Sequence, residues 1–192
     1  MNCHLTHGKS NAQKRFEEMK TIHNAVLGTL SEKTITSHDI KFMFGDLNFR
    51  LEMDNASACR LLDEKNYNAM LKNDQLLSQN KHFSYPHSLN EAPIRFPPTY
   101  KFIKNTSRYD IEKRPPAWCD RILWGTIDPV KCIDYNSIDS LCFSDHKPIY
   151  GVYLLKIKKS VSNEEEETKA FSTIESIPKS SKTLSSKLMW KI

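Results

Sequence analysis

The stretch from residue 96 to 123, FPPTYKFIKNTSRYDIEKRPPAWCDRIL, limits the fold open to this chain more than any other. Each Pro-Pro pair removes two backbone donors and pushes the residue before it out of the helical region, so no helix continues through positions 97–98 or 115–116. The segment is therefore extended, proline-stiffened, cationic and aromatic, and it divides the chain. Helical patterns lie before it. Phe16, Met19, Ile22, Val26 and Leu30 follow helical spacing after a cap at Ser10 or Asn11, and residues 54–77 read as two short helices, NASACRLLDEK and NYNAMLKNDQLL, with Leu61, Leu62, Met70, Leu71, Leu76 and Leu77 inward. Strands dominate around and after it: PPTYKF, WCDRILWG, VKCIDYN and PIYGVYLLKI, joined by NCHL at the start and DIKFMFGD in the middle. This segregation of helices from a run of strands predicts a layered α/β or α+β fold.

At 192 residues with 39% hydrophobic content, residues 1–159 make one domain with a sizeable core. Residues 160–192 turn to Ser, Lys, Thr and a Glu164 to Glu167 block and read as a disordered tail, with an apolar LMWKI end able to dock. No apolar run approaches the length of a membrane span, and MNCHLTHGKSNAQKRF has no apolar core of a signal peptide, so a cytoplasmic location is expected. Five scattered cysteines without a CxxC pattern predict free thiols. The net charge of +5 falls wholly within residues 1–159, because the tail's five lysines cancel its five glutamates. An anionic partner follows.

Four groups on strand ends carry the chemistry. In GDLN, Asp46 and Asn48 are two apart after a buried strand, so an extended backbone would aim both the same way. The carboxylate can take a proton from water or hold a cation; the amide can donate to a phosphoryl oxygen. An ordinary strand-ending turn uses the same residue types. In SDHKP, Asp145 and His146 line one cleft only if the segment turns. His4 and Asp120 complete the set, and a carboxylate-held imidazole is a good donor to developing phosphoryl charge. Such a set suits metal-assisted hydrolysis of a phosphate ester, with Mg²⁺ as the cation because the ligands are oxygens.

GDLNFR, FPPTYK, RPPAWCDRIL and SDHKP, in that order, with NCHLTHG ahead of them, resemble the catalytic domain of inositol polyphosphate 5-phosphatases, within the exonuclease, endonuclease and phosphatase superfamily. The resemblance runs from about residue 2 to 157. It implies a partial four-layered α/β sandwich of the DNase I-like kind, missing its N-terminal half. It also implies roles: Asp46 as the base for the attacking water, Asn48 orienting the phosphate, His4 paired with Asp120, His146 donating to the scissile phosphate, and Asp145 helping organise the site or a metal. Tyr100, Lys101 and Arg114 would bind a neighbouring ring phosphate, with Arg121 either a further phosphate ligand or half of a structural ion pair.

Two departures accompany it. Glu112 stands where a second basic residue is common, with Lys113 shifted by one, and no carboxylate corresponds to the family's principal Mg²⁺-binding glutamate. The expectation is a truncated or degenerate phosphatase acting on phosphoinositides or soluble inositol phosphates, peripheral at the cytosolic face of membranes, with a non-catalytic phosphoinositide-binding or partner-binding remnant as the alternative. A nuclease is disfavoured, since no basic groove interleaved with aromatic residues stands out and no nucleic-acid partner is expected.

Overall fold

The computed structural model describes residues 1–26, 34–79, 89–112, 114–126 and 129–156. Leu30, Lys113 and the 160–192 tail, with its LMWKI end, lie outside the described residues.

One mixed sheet organises the molecule. Its strands are β1 (Asn2–His4), β2 (Ile40–Asp46), β3 (Asn90–Glu91) and β4 (Asp120–Thr126), in the order β1-β2-β4-β3. β1 runs parallel to β2, and β4 antiparallel to both β2 and β3. A second sheet pairs β5 (Val130–Ser137) with β6 (Ile149–Leu155). Alternation along the central strands sends successive side chains to opposite faces. Met43 and Leu123 face α1 (Ala12–His23), where Phe16 and Met19 are buried. Phe42, Ile122 and Trp124 join the other apolar cluster, and the Tyr153 ring of β6 lies 5.0 Å from Phe42 and 5.1 Å from Trp124. The layers are thus helix, sheet, sheet.

β1 approaches β2 so closely that a Cβ on Gly45 would stand 2.2 Å from the Cys3 carbonyl oxygen, and the φ of Gly45 is +126°. Only glycine fits both constraints. α1 stops at His23, short of the helix expected through Val26, which instead bridges Thr34 and is exposed. The stretch after residue 54 forms three helices rather than two: α2 (Asn55–Asp63), α3 (Tyr67–Leu71) and α4 (Gln75–Gln79). Asp54 caps α2 through the Ser57 N–H, and Asn66 caps α3 through the Ala69 N–H. Leu77 points outward, contrary to expectation, because this short last turn buries Leu76. All five cysteines are free, as their spacing predicts.

PPTYKF does not form a strand. Tyr100 exchanges backbone hydrogen bonds with Ala117, while Thr99 O accepts from Lys147 N–H at 2.8 Å and Phe102 N–H donates to Asp145 O at 2.9 Å. With no N–H at Pro97 or Pro98, pairing cannot extend toward the N-terminus. What remains is a short strap between residue 117 and residues 145–147.

Strand alternation also settles Arg121. Its neighbour Asp120 faces the second sheet, so Arg121 faces the helical layer, fully buried, bonded to Glu91 through Nε (2.6 Å) and Nη2 (2.5 Å) and to Asp74 through Nη1 (3.0 Å). Of the two readings open for Arg121, it takes the structural ion pair, and its place among the phosphate ligands is corrected. Burial opposes the guanidinium charge, but Asp74 and Glu91 outweigh it and hold the pKa well above the ordinary value. Arg121→Ala is expected to destabilise the fold by about 3–5 kcal/mol in denaturant titration, since it strands two buried carboxylates. A change below about 1 kcal/mol would show the pair to be dispensable.

Candidate active site

Register builds the site. His4 pairs with Asp46 across β1 and β2, and Asp46 pairs with Asp120 across β2 and β4, so the three stand in one row at the end of the sheet. Directly paired residues share a face, which here is the face toward β5 and β6. His146, just ahead of β6, reaches over this row. Its Nδ1 lies 2.9 Å from Asp120 Oδ2, and its Nε2 lies 3.9 Å from Asp46 Oδ2. Thr99 Oγ1 donates to the same Asp120 oxygen at 2.6 Å.

The expected pairing of His4 with Asp120 is corrected. His4 Nε2 lies 3.4 Å from Asp46 Oδ2, and Asp120 is engaged by His146 and Thr99 instead. The reason is register: β2 stands between β1 and β4, so the His4 side chain meets Asp46 first.

Two acids on adjacent strands repel. Burial raises the Asp46 pKa and the Asp120 charge raises it further, while His146, His4 and the Asn48 N–H pull it back without cancelling the rise. Asp46 is accordingly more basic than an ordinary aspartate, which suits a proton acceptor. For His146, burial works against the imidazolium. The hydrogen bond and charge of Asp120, with Asp46 and Asp145 beyond, prevail and raise its pKa.

Asn48 is not extended. Its φ of +57° places it in the left-handed region, where Asp46 Oδ1 accepts its N–H at 3.0 Å. The side chain turns inward: Nδ2 donates to Leu5 O at 3.0 Å, and Oδ1 accepts from Arg50 Nη2. Asp46 and Asn48 thus come together through a tight turn rather than strand alternation.

The strap supplies the rim. The Tyr100 ring lies 4.4 Å from the His146 ring, and its hydroxyl accepts from Arg114 Nη1 at 3.3 Å. Lys101 Nζ is 2.9 Å from Asp110 Oδ2, a hydrogen bond that raises its pKa. Asp145 is placed by its backbone carbonyl, bonded to Phe102.

Asp46, Asp120 and His146 each offer one ligand atom within 4.8 Å of the others, and these are the residues that could hold a metal ion among those described. Asp145 is outside this group. Two crowded carboxylates fit a hard divalent cation, which would relieve their repulsion and fill its remaining positions with water or substrate oxygens.

Sequence reasoning missed Thr99, Arg50 and Lys147. All three stand inside the motifs PPTYK, GDLNFR and SDHKP, directly beside residues with more conspicuous chemistry. Lys147 is buried, its Nζ donating to Asp139 O, Leu141 O and Cys142 Sγ at 2.9, 3.0 and 2.9 Å, which ties down the loop leading to His146.

Two outcomes follow. An NMR titration is expected to place His146 above the ordinary histidine value and Asp120→Asn to lower it; because the folded pKa is raised, this contribution to stability is complete below about pH 6.5 and fades as pH rises through the folded pKa. A titration unchanged by Asp120→Asn contradicts the pairing. Asp46→Asn is expected to raise the thermal midpoint at neutral pH by roughly 2–4 °C, the shift about 1 kcal/mol produces in a domain of this size, because it removes one of two repelling buried charges. A lowered midpoint would count against that repulsion.

The model of the endonuclease/exonuclease/phosphatase family 2 matches residues 1–152. Type IV inositol polyphosphate 5-phosphatase 6 of Arabidopsis thaliana is 37% identical over 137 residues, covering 68% of this chain and 22% of that protein. A phosphatidylinositol 4,5-bisphosphate 5-phosphatase of Saccharomyces cerevisiae is 34% identical over 170 residues, covering 86% of this chain and 17% of that protein. Among solved structures, the inositol polyphosphate 5-phosphatase domain of SPsynaptojanin, in complex with inositol (1,4)-bisphosphate and calcium ion, superposes with a TM-score of 0.71 at 33% identity, over 79% of this chain and 45% of that one. The chain therefore spans under a quarter of these two curated relatives and under half of the solved domain.

Proposed function

Since the chain belongs to the endonuclease/exonuclease/phosphatase family 2, we propose that its site serves hydrolysis of a phosphate monoester on an inositol ring, removing the 5-phosphate of phosphoinositides or soluble inositol phosphates. The observation that carries this reading is the row of Asp46 and Asp120 with His146 bridging both.

Asp46, made more basic by burial and by Asp120, accepts a proton from the attacking water. His146, held in place and kept cationic by Asp120, donates toward the phosphoryl oxygens. Asn48 offers the amide hydrogen that Leu5 leaves free. Tyr100, Lys101 and Arg114 form the basic rim that takes a second ring phosphate. The carboxylate oxygens of Asp46 and Asp120 would hold the divalent cation, Mg²⁺ by its preference for oxygen, which would supply positive charge beside the phosphate while the cationic His146 remains a donor. The calcium and inositol bisphosphate of the solved SPsynaptojanin domain support both halves of this reading.

Lipid substrates place the protein at the cytosolic face of a membrane as a peripheral visitor. None of the described helices is long and apolar enough to cross a bilayer, and the exposed Lys104, Arg108 and Arg114 near the rim favour an anionic surface.

Calorimetry with inositol 1,4,5-trisphosphate in Mg²⁺ provides the first test. Binding is expected to exceed that of unphosphorylated inositol and to weaken at least about tenfold in Arg114→Ala. Phosphate release is expected to be slow, because only two carboxylates within the described residues hold the cation, and to fall about 100-fold further in Asp46→Asn. Equal affinity for inositol and its trisphosphate would end the phosphatase reading. Tight binding with no release under any condition would leave a phosphoinositide-binding module.

A further inference from the structure

Three arginines are buried among the described residues, Arg15, Arg50 and Arg121, and they are used differently. Every nitrogen of Arg121 has an acceptor: Nε and Nη2 on Glu91, Nη1 on Asp74 and the Trp118 carbonyl. Among the described residues Arg50 meets no carboxylate: its Nε donates to Asn48 O at 3.1 Å, its Nη2 donates to Asn48 Oδ1, and its buried Nη1 has no partner there. Beneath the guanidinium, 4.6 Å away, lies the Tyr100 ring, which also packs at a tilt against the His146 ring. The Arg50 backbone is pinned as well, since its N–H donates to Gln75 Oε1 at 3.0 Å and its carbonyl accepts from Gln75 N–H at 2.9 Å.

An asparagine amide can present either its oxygen or its hydrogens. A guanidinium has donors only, so one that grips Asn48 Oδ1 admits a single orientation. The oxygen turns toward Arg50, and the NH₂ group turns toward Leu5 O, with its second hydrogen left over. The same guanidinium holds the Asn48 carbonyl, fixing the left-handed turn that also brings the Asn48 N–H onto Asp46. What sets Arg50 apart is that both of its bonded nitrogens hold one residue, Asn48, whereas those of Arg15 are spread over Thr6, Gly8 and Gln75.

We infer that Arg50 is a positioning residue for phosphate recognition: it locks the Asn48 amide with hydrogens, and not the oxygen, available to a phosphoryl group. This rests on the phosphate-ester reading of the site, and its test separates the two.

The test uses the full ¹⁵N-labelled chain, with the Asn48 side-chain amide signals assigned by Asn48→Asp and inorganic phosphate as the probe. In the unaltered protein these signals are expected to exchange slowly with solvent and to shift on addition of phosphate. Arg50→Met is expected to speed their exchange about tenfold or more and to weaken phosphate binding by a similar factor, since bonds from a charged donor are lost. Arg50→Lys keeps the charge but cannot hold both Asn48 oxygens in one planar fork, so it recovers part of the phosphate affinity without restoring slow exchange. Slow exchange and unchanged phosphate shifts in a folded Arg50→Met protein would overturn the inference. If Arg50→Met does not fold, Arg50→Lys decides alone: an Asn48 amide as slow as in the unaltered protein sinks the proposal. Phosphate that moves no signal in the unaltered protein overturns the phosphate-recognition role together with the hydrolysis reading, even if Arg50→Met still loosens Asn48.

Discussion

Two aspartates held side by side on neighbouring strands are the constraint around which this structure is arranged. Asp46 and Asp120 are cross-strand partners at the end of the central sheet, and like charges in that position destabilise a sheet. The surroundings offset the repulsion without removing it. His146 bridges the pair, His4 flanks Asp46, Thr99 donates to Asp120, and the Asn48 turn delivers an N–H to Asp46. Burial first, and the residual repulsion from Asp120 second, raise the Asp46 pKa, and a carboxylate that holds its charge reluctantly is a better proton acceptor. Stability is lower at the position where reactivity is gained.

The rest of the molecule keeps that row in register. Gly45 lets β1 close on β2, which carries His4 to Asp46. The proline-flanked strap makes too few backbone bonds to be a strand, yet those few are placed to bind Thr99 and Tyr100 between Ala117 and the His146 segment. Thr99 then meets Asp120, and Tyr100 meets His146. Buried Lys147 holds the loop before His146 through three acceptors. Arg121, on the opposite face of β4 from Asp120, ties that strand to Asp74 and to Glu91 of β3.

Much of this was legible in the residues, with identifiable exceptions. The strands at 40–46, 120–126, 130–137 and 149–155 follow from apolar β-rich runs, and the first helix from its spacing. Alternation alone also tells Asp120 from Arg121, since neighbours on a strand cannot share a face. The end of α1 and the division of residues 54–79 into three helices escaped notice because apolar spacing continues through a helix end, while caps at Asp54 and Asn66 act on single N–H groups. Arg50 escaped because an arginine next to a phenylalanine looks like surface charge until its burial against Asn48 and Tyr100 is seen.

The amino-acid sequence by itself determined which chemical groups gather at the strand ends, since GDLN, TYK, WCDR and SDHK each carry polar residues directly beside a buried run. It also determined that no helix could run through 97–98 or 115–116, because proline has no N–H to give. Only the tertiary structure decided who pairs with whom. His4 answers to Asp46 because β2 stands between β1 and β4, and His146 to Asp120 because the loop ahead of β6 lays it over the end of β4. Order in a sheet depends on contacts between residues far apart in the chain, 74 positions in the case of Asp46 and Asp120, and no local pattern records it.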